Sequence, residues 1–511
     1  MAVDKDVVLR DYPDTFTEEF IHYCRANHLP PQLFHDMAEF MGTMPRYVCV
    51  LPHDACSTVP PTTMTTSSDE SCVTAELAEL LGLNVGEVIP VPWLPRRHFF
   101  SLPRSTSIGV PTPPSPRVSL LSMDAASAAA VVALRPLRGE IVWDACCAPG
   151  AKLGLLAAAV GPLGAAVGSD GGAARLAVAR SLLRRRGAAN VCLLAADARR
   201  LTAADAVRVA QGESGHRRQN GMTAGEEREL QRWSKRQREN EGEGKGEGEE
   251  GKVRLAFASD EARKRLEKMG NSKEGGGYGG FDRVLVDAEC SHDGSLAHMC
   301  LNDASKTPYT ANGEDPNAKT GIDNMYRMKR LNLALKGSAN TNTSTGKDLP
   351  PLVLLQLELL KNGYTQLKPG GTLVYCTCSF SYQQNEFVVQ EMMRLVNASN
   401  ETKQYYGGEA VLCHPFEYVH ETASPDLVSP IVNLTEEQAI FLRQQLDTAG
   451  DPYGIVTAGS MTDDSSSNNG SGSSSSSSNI VGVRFWPQTF ATSFQFISKI
   501  WKKPFQPSTS E

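Results

Sequence analysis

Two cysteines stand where a strand gives way to a loop. Cys290 follows the run Phe281 to Asp287, and Cys378 follows Thr372 to Cys376. They are 88 residues apart in sequence, yet each falls at the carboxyl end of a strand, the edge along which open α/β sheets carry their active sites. A thiol is the side chain that needs least activation to serve as a nucleophile. Asp287 closes the same strand that precedes Cys290, so the set offers a nucleophile, a second thiol and a carboxyl group for proton transfer. A strand-end cysteine by itself is more often core packing, so the reading depends on the elements around it.

Those elements are legible. Ile141, Val142, Trp143 and Asp144 form an apolar run ending in an acid, and the turn CCAPG then leads into the Ala/Leu-rich segment 152–160. Strand, tight turn and helix in that order open a doubly wound domain, and Gly150 would allow a ligand to approach the turn. Asp124 reads as the N-cap of the helix ahead of it. Ala165 to Asp170 and Val191 to Ala196 repeat the pattern, the second followed by Asp197. An acid ending strand two suits the two hydroxyls of an adenosine ribose, and Asp197 lies where a side chain could meet an adenine amino group. Helices follow at 175–186 and 352–366, strands at 281–287 and 372–376, and Val483 to Lys499 reads as a bent terminal hairpin.

Three stretches break this order. Residues 203–280, 303–350 and 456–479 are rich in Glu, Lys, Gly, Ser and Asn and poor in apolar residues, so they should be disordered inserts. Ahead of the main domain, residues 1–118 hold a helical stripe with Phe16, Phe20, Ile21 and Cys24, a strand at 47–51 and a second helix at 76–83. They read as a small α+β module. The whole chain has 511 residues, 41% of them hydrophobic, and a net charge of −7, which gives no overall argument for nucleic acid although Arg184, Arg185 and Arg186 cluster. Twelve cysteines without a CxxC pair indicate neither a zinc ribbon nor a disulfide scaffold, and no metal is expected. With no long apolar span and no signal-like or transit-like N-terminus, a soluble intracellular monomer without a membrane partner is expected. Nucleus, nucleolus, cytoplasm and mitochondrion all stay open.

Paired thiols beside a carboxylate and an adenosine-type pocket suit methylation of a pyrimidine ring carbon. Carbon 5 of cytosine is a poor nucleophile until a thiolate adds at carbon 6, and the adduct must later lose the carbon-5 proton and expel the thiol. DACCAPGAK, the Asp170 strand end, DAECSHDGS, LKPGGTLVYCTCS and QNE together resemble the Sun-type (NSUN/Fmu, RsmB-like) RNA cytosine-5 methyltransferases, over most of 120–395 and the last strand. YPDTF and PRYVCV resemble the RNA-recognition part of the same family more weakly.

The resemblance implies a class I Rossmann-like methyltransferase fold of the α/β class, with a mostly parallel seven-stranded sheet over 119–503. It implies Cys378 as nucleophile, Cys290 assisting product release, Asp287 at the cytosine edge and Lys152 beside it. S-adenosyl-L-methionine would lie against Cys146, Cys147, Ala148, Pro149, Gly150, Ala151, Lys152, Asp170, Arg175, Asp197 and Asp287, and the partner would be tRNA or rRNA. The target base would have to leave its stack.

The family usually shows Pro where Glu289 stands, Gly where His292 stands and Ala where Cys147 stands. Glu289 should raise the Cys290 thiol and disturb the neighbouring carbonyl, which keeps open a catalytically impaired RNA-binding scaffold. His292, in a polar loop, reads as a surface histidine, with a proton relay as the alternative, and Cys376 as a buried structural cysteine. The PCQ loop of DNA cytosine methylation and the NPPY loop of adenine methylation are absent.

Overall fold

Apolar runs without polar alternation, such as Val191–Ala195, suit strands covered on both faces. The computed structural model bears this out; it describes residues 12, 18–27, 29–52, 68–108, 118–212, 215–216, 252–271, 279–295, 349–418, 424–448 and 480–505. In chain order the strands are β1 (Arg46–Pro52), β2 (Ile89–Pro90), β3 (Phe99–Leu102), β4 (Val118–Ser122), β5 (Ile141–Asp144), β6 (Ala165–Asp170) and β7 (Val191–Ala195). They continue with β8 (Gly215–His216), β9 (Lys252–Ala258), β10 (Phe281–Asp287), β11 (Leu367–Thr377), β12 (Gly408–Cys413), β13 (Val483–Phe485) and β14 (Gln495–Pro504).

The large sheet runs β12-β14-β11-β10-β5-β6-β7-β9-β8, with β13 paired to β14. Its inner strands β7, β6, β5, β10 and β11 are mutually parallel, and β14 lies antiparallel between β11 and β12. These seven strands are the expected sheet; β8, β9 and β13 extend it to ten. Side chains alternate across it with the period of two that a pleated strand imposes. Trp143, Val167, Leu194, Val286 and Tyr375 pack on one face with the helices Ala203–Ala210, Pro351–Thr365 and Glu386–Val396. Val142, Ala166, Leu193, Leu285 and Val374 pack on the other with the helices Ala125–Leu134, Ala151–Val160 and Ala173–Arg185. Asp124 caps the first of these, accepting from the Ala126 amide at 3.0 Å, as its sequence position indicates.

Two boundaries need correction. Residues 203–280 are not one insert, because Ala203–Ala210 and Asp260–Asn271 are helices and β9 pairs antiparallel with β7. The helix Asp260–Asn271 buries Ala262, Leu266 and Met269, a stripe at helical spacing that its many charges mask when composition is averaged. The remainder of 203–280, nearly all of 303–350 and all of 456–479 lie outside the described residues.

The N-terminal module divides as well. β2-β3-β1-β4 form a separate antiparallel sheet that reaches Ser122, beyond the expected limit at 118, and the helix Ser68–Leu81 packs on it through Leu77 and Ala78. The helices Glu18–Ala26 and Pro31–Thr43 instead bury Ile21, Tyr23, Cys24, Leu33 and Phe34 in the core of the large domain. Phe34 meets Phe380 edge-on, with ring centroids 6.4 Å apart, which brings these helices beside the loop after β11.

That loop is held from below by a buried ion pair. Arg484 on β13 forks onto Glu386 with two bonds of 2.8 Å and donates to the Phe380 carbonyl at 3.1 Å. Removing one partner would leave the other charge stranded in the core. Arg484→Met is therefore expected to cost about 3–5 kcal/mol by denaturant midpoint. Arg394→Met, which breaks a solvent-exposed pair with Glu391, should cost less than about 1 kcal/mol.

Candidate active site

The parallel register of β10 and β11 sets Asp287 opposite Cys376, so the loops that follow begin side by side. Two backbone bonds keep them together: the Ala288 amide donates to the Cys376 carbonyl at 3.1 Å and the Gly294 amide to the Cys378 carbonyl at 2.9 Å. A Cβ on Gly294 would come within 2.7 Å of that carbonyl oxygen, so only glycine allows so close an approach. Cys290 Sγ and Cys378 Sγ end 3.4 Å apart.

Between them stands His292, its Nδ1 2.9 Å from Cys378 Sγ and 3.6 Å from Cys290 Sγ. The surface position expected for His292 is therefore corrected. Its φ of 56° is left-handed, a conformation that glycine adopts at no steric cost and histidine only with strain.

A polar network fixes both loops. Ser291 Oγ donates to Asp293 and lies 3.0 Å from Ser379 Oγ, while Tyr23 and the Phe380 amide donate to Asp293 Oδ2 at 2.9 and 3.0 Å. Gln384 Oε1 accepts from the Ser291 amide at 3.0 Å, and Asn385 donates to the Ser379 carbonyl at 2.7 Å. Burial pushes the Asp293 carboxyl up, against the Ser291, Ser379 and Phe380 donors that pull it down. Tyr23, raised by burial and by the charge of Asp293, stays a protonated donor.

The thiols share their protons. Burial opposes a thiolate at Cys290, but hydrogen bonding from Cys378 and the nearness of His292 outweigh it and hold Cys290 below the ordinary thiol range. The bond to Cys290, together with burial, raises Cys378. The pair thus favours one negative charge, not two. The rise expected at Cys290 from Glu289 is corrected, and the Glu289 carbonyl is held by Gln356 Nε2 at 2.8 Å.

On the β5 side, Lys152 Nζ donates to Asp287 Oδ2 at 2.7 Å and to Ser127 Oγ at 3.3 Å. Burial opposes the lysine's charge, but Asp287 more than compensates and keeps it protonated. Cys376, buried as expected, also donates to Asp287 Oδ1 at 3.3 Å. Asp144, at the end of β5, is buried, and neither of its oxygens has a hydrogen-bond partner of good geometry among the described residues. Burial, then the charge of Asp287, pushes its pKa up to about 8, against Lys152 and the nearby Cys146 amide.

The glycine turn and the outer acids are placed as follows. Gly150, at φ 104°, caps the helix Ala151–Val160, and a Cβ there would meet Ala179 Cβ at 3.2 Å. Its freedom is required by this helix packing as well as by the left-handed φ. Cys147 is buried, its amide donating to the Ser169 carbonyl at 2.9 Å, while Cys146 is half-buried. Asp170 accepts from the Gly172 amide at 2.9 Å and pairs with Arg175 at 3.1 Å. Asp197 is gripped by Arg199; burial works against its charge, but that grip lowers its pKa overall. Cys290, Cys378, Asp287 and Lys152 are thus gathered into one cluster, with Asp170 and Asp197 on the neighbouring strand ends.

Two participants escape the sequence reading, Asp293 and Tyr23; Asp144 is legible as the acid ending the first strand, and His292 only as an alternative proton relay. Tyr23 carries no usable signal, being 270 residues from its partner Asp293.

A family profile described as 16S rRNA methyltransferase RsmB/F matches residues 337–410. The mouse 5-cytosine rRNA methyltransferase NSUN4 is 32% identical over 116 residues, 23% of this chain and 21% of that protein. The human 28S rRNA (cytosine(4447)-C(5))-methyltransferase is 32% identical over 123 residues, 23% of this chain and 10% of that one. The chain thus spans about a fifth or less of the length of these relatives. A crystal structure of a methyltransferase homologue from Pyrococcus horikoshii superposes with a TM-score of 0.44 at 19% identity, covering 98% of this chain and 100% of that one. Through the profile match, which takes in β11 and the Cys378 that follows it, and through these relatives, the chain is similar over part of its length to RsmB/F-type RNA cytosine-5 methyltransferases.

Proposed function

We propose that the protein methylates carbon 5 of a cytosine in tRNA or rRNA, using S-adenosyl-L-methionine and a covalent bond from Cys378 to the base. The observation that carries the reading is the 3.4 Å approach of Cys290 and Cys378 on the sheet edge that also presents Asp287 and Lys152. A single nucleophile would need no second thiol there, whereas addition followed by elimination has work for both.

The residues fit the methyl donor. Asp144 is a buried carboxylate without a good donor, and a ligand's ammonium group would satisfy it. Asp170 at the end of β6 would receive the ribose, sharing its oxygens with Gly172 and Arg175. Cys146 to Lys152 would line the turn beneath it, and Asp197 would have to share its oxygens with Arg199 to meet the adenine amine. When bound, the donor supplies an electrophilic methyl group.

The chain's own groups manage the base. The Cys378 thiolate gives a lone pair to carbon 6, and the carbon 5–carbon 6 π pair becomes the nucleophile at carbon 5. Asp287 would lie at the ring edge as the acid that shares a proton with ring nitrogen 3, and the Lys152 ammonium beside it would offset the negative charge that develops on the ring. Cys290, as thiolate, then takes the carbon-5 proton; the electron pair of that C–H bond restores the double bond, and the pair of the carbon 6–sulfur bond leaves on Cys378. RNA is the partner; the helices at 18–43, which contribute Tyr23 to the site, would help grip it.

Three outcomes test this reading. With labelled methyl donor and total RNA, label should appear in 5-methylcytidine after digestion to nucleosides; label confined to another nucleoside, or none, would refute it. Cys378→Ser should abolish label and adduct together, while Cys290→Ala should accumulate protein covalently trapped on RNA, visible as a shifted band; a scaffold without turnover would give no such band. Asp144→Asn should weaken donor binding and change the response to pH. Asp144 loses its proton at about pH 8 folded but near 3.8 unfolded, so stability falls as pH rises between those values, by up to about 1.4 kcal/mol per unit. The variant should lack that slope in denaturation series at successive pH values.

A further inference from the structure

We propose that His292 is a catalytic acid–base residue of this protein, taking the proton of Cys378 as its sulfur attacks and returning it when the sulfur leaves. The inference rests on the reading of Cys378 as nucleophile, and its geometry stands on three observations. The imidazole Nδ1 is 2.9 Å from Cys378 Sγ, within reach of direct proton transfer. The backbone that aims it is left-handed at φ 56°, a strained conformation kept at the position where the family usually carries glycine. The residues on either side are locked, Ser291 by Gln384 and Asp293 by Tyr23 and Phe380, so the ring is carried by a rigid turn.

The proton balance is simple. Thiol and neutral imidazole become thiolate and imidazolium; the thiolate lone pair forms the bond to carbon 6, and on cleavage of that bond the imidazolium proton returns to sulfur. The ionisable groups around the ring are Cys290 and Asp293 on its own loop, Cys378 on the loop after β11, Tyr23 behind Asp293, and the Asp287–Lys152 pair at the strand ends. Cys290 is the competing base, because it too lies against Cys378.

The test separates the two and needs neither RNA nor methyl donor. Cys378 alkylation by iodoacetamide is followed by peptide mass mapping across pH, in chelator-treated buffer, for full-length protein carrying Cys290→Ser. With His292 present, Cys378 should react readily near neutral pH. In His292→Asn and His292→Gly the profile should move up by about one unit, which lowers the rate at pH 7 about tenfold. Both replacements tolerate a left-handed backbone, so the melting temperature should hold or rise.

An unchanged profile in His292→Asn overturns the proposal. Loss of the near-neutral reactivity with Cys290→Ser alone also overturns it, since Cys290 would then be the base. A fall in reactivity accompanied by a fall in melting temperature assigns His292 a structural role and overturns it too. Because this readout is independent of methyl transfer, a failure to find 5-methylcytidine would leave the histidine result standing on its own.

Discussion

The site depends on one constraint, the parallel pairing of β10 with β11. Strand pairing fixes where two chain segments end relative to each other, and here it brings the loops carrying Cys290 and Cys378 out at the same level. Two backbone bonds and a glycine that admits a carbonyl at closest approach then draw the loops together. Everything chemical in the cluster follows from that apposition. Were β10 and β11 shifted by one residue, Asp287 would no longer stand opposite Cys376 and the two loops would not leave the sheet at the same level.

The apposition has an electrostatic cost that the surroundings offset. Two thiols, the carboxyl groups of Asp144 and Asp293, and a tyrosine are buried together, and desolvation opposes charge on each of them. Lys152 neutralises Asp287, hydroxyl and amide donors satisfy Asp293, and the thiols share one charge between them. Among the described residues, both carboxyl oxygens of Asp144 are buried without a good donor, an arrangement that a cation would relieve.

The N-terminal helices alter the division of the molecule. Tyr23 donates to Asp293, which also accepts from the Phe380 amide in the loop after β11, and Phe34 packs against Phe380. They are part of the wall of the site, while the small sheet β2-β3-β1-β4 stands beside it with its own core. Arg484 completes the support from the far end of the chain, through Glu386 and the Phe380 carbonyl. Three distant stretches of sequence therefore converge on the ten residues after Thr377.

The amino-acid sequence by itself determined what is local or periodic. Apolar runs ending in Asp144, Asp170 and Asp287, the Asp124 cap and the strand-end positions of Cys290 and Cys378 are written in consecutive residues, because strand and helix periodicities act over a few positions. The seven-stranded sheet is what the family resemblance implies, and β12 at its edge has no counterpart among the runs read from the sequence. The helix at 260–271 and strand β9 were hidden because their apolar stripes are diluted by neighbouring charge. What only the tertiary structure decided is contact between distant residues: Tyr23 on Asp293, His292 beside two sulfurs, and Gly150 against Ala179. These depend on how loops and helices pack once the sheet has formed, and a side chain's partner across 270 residues leaves no trace in its own neighbourhood.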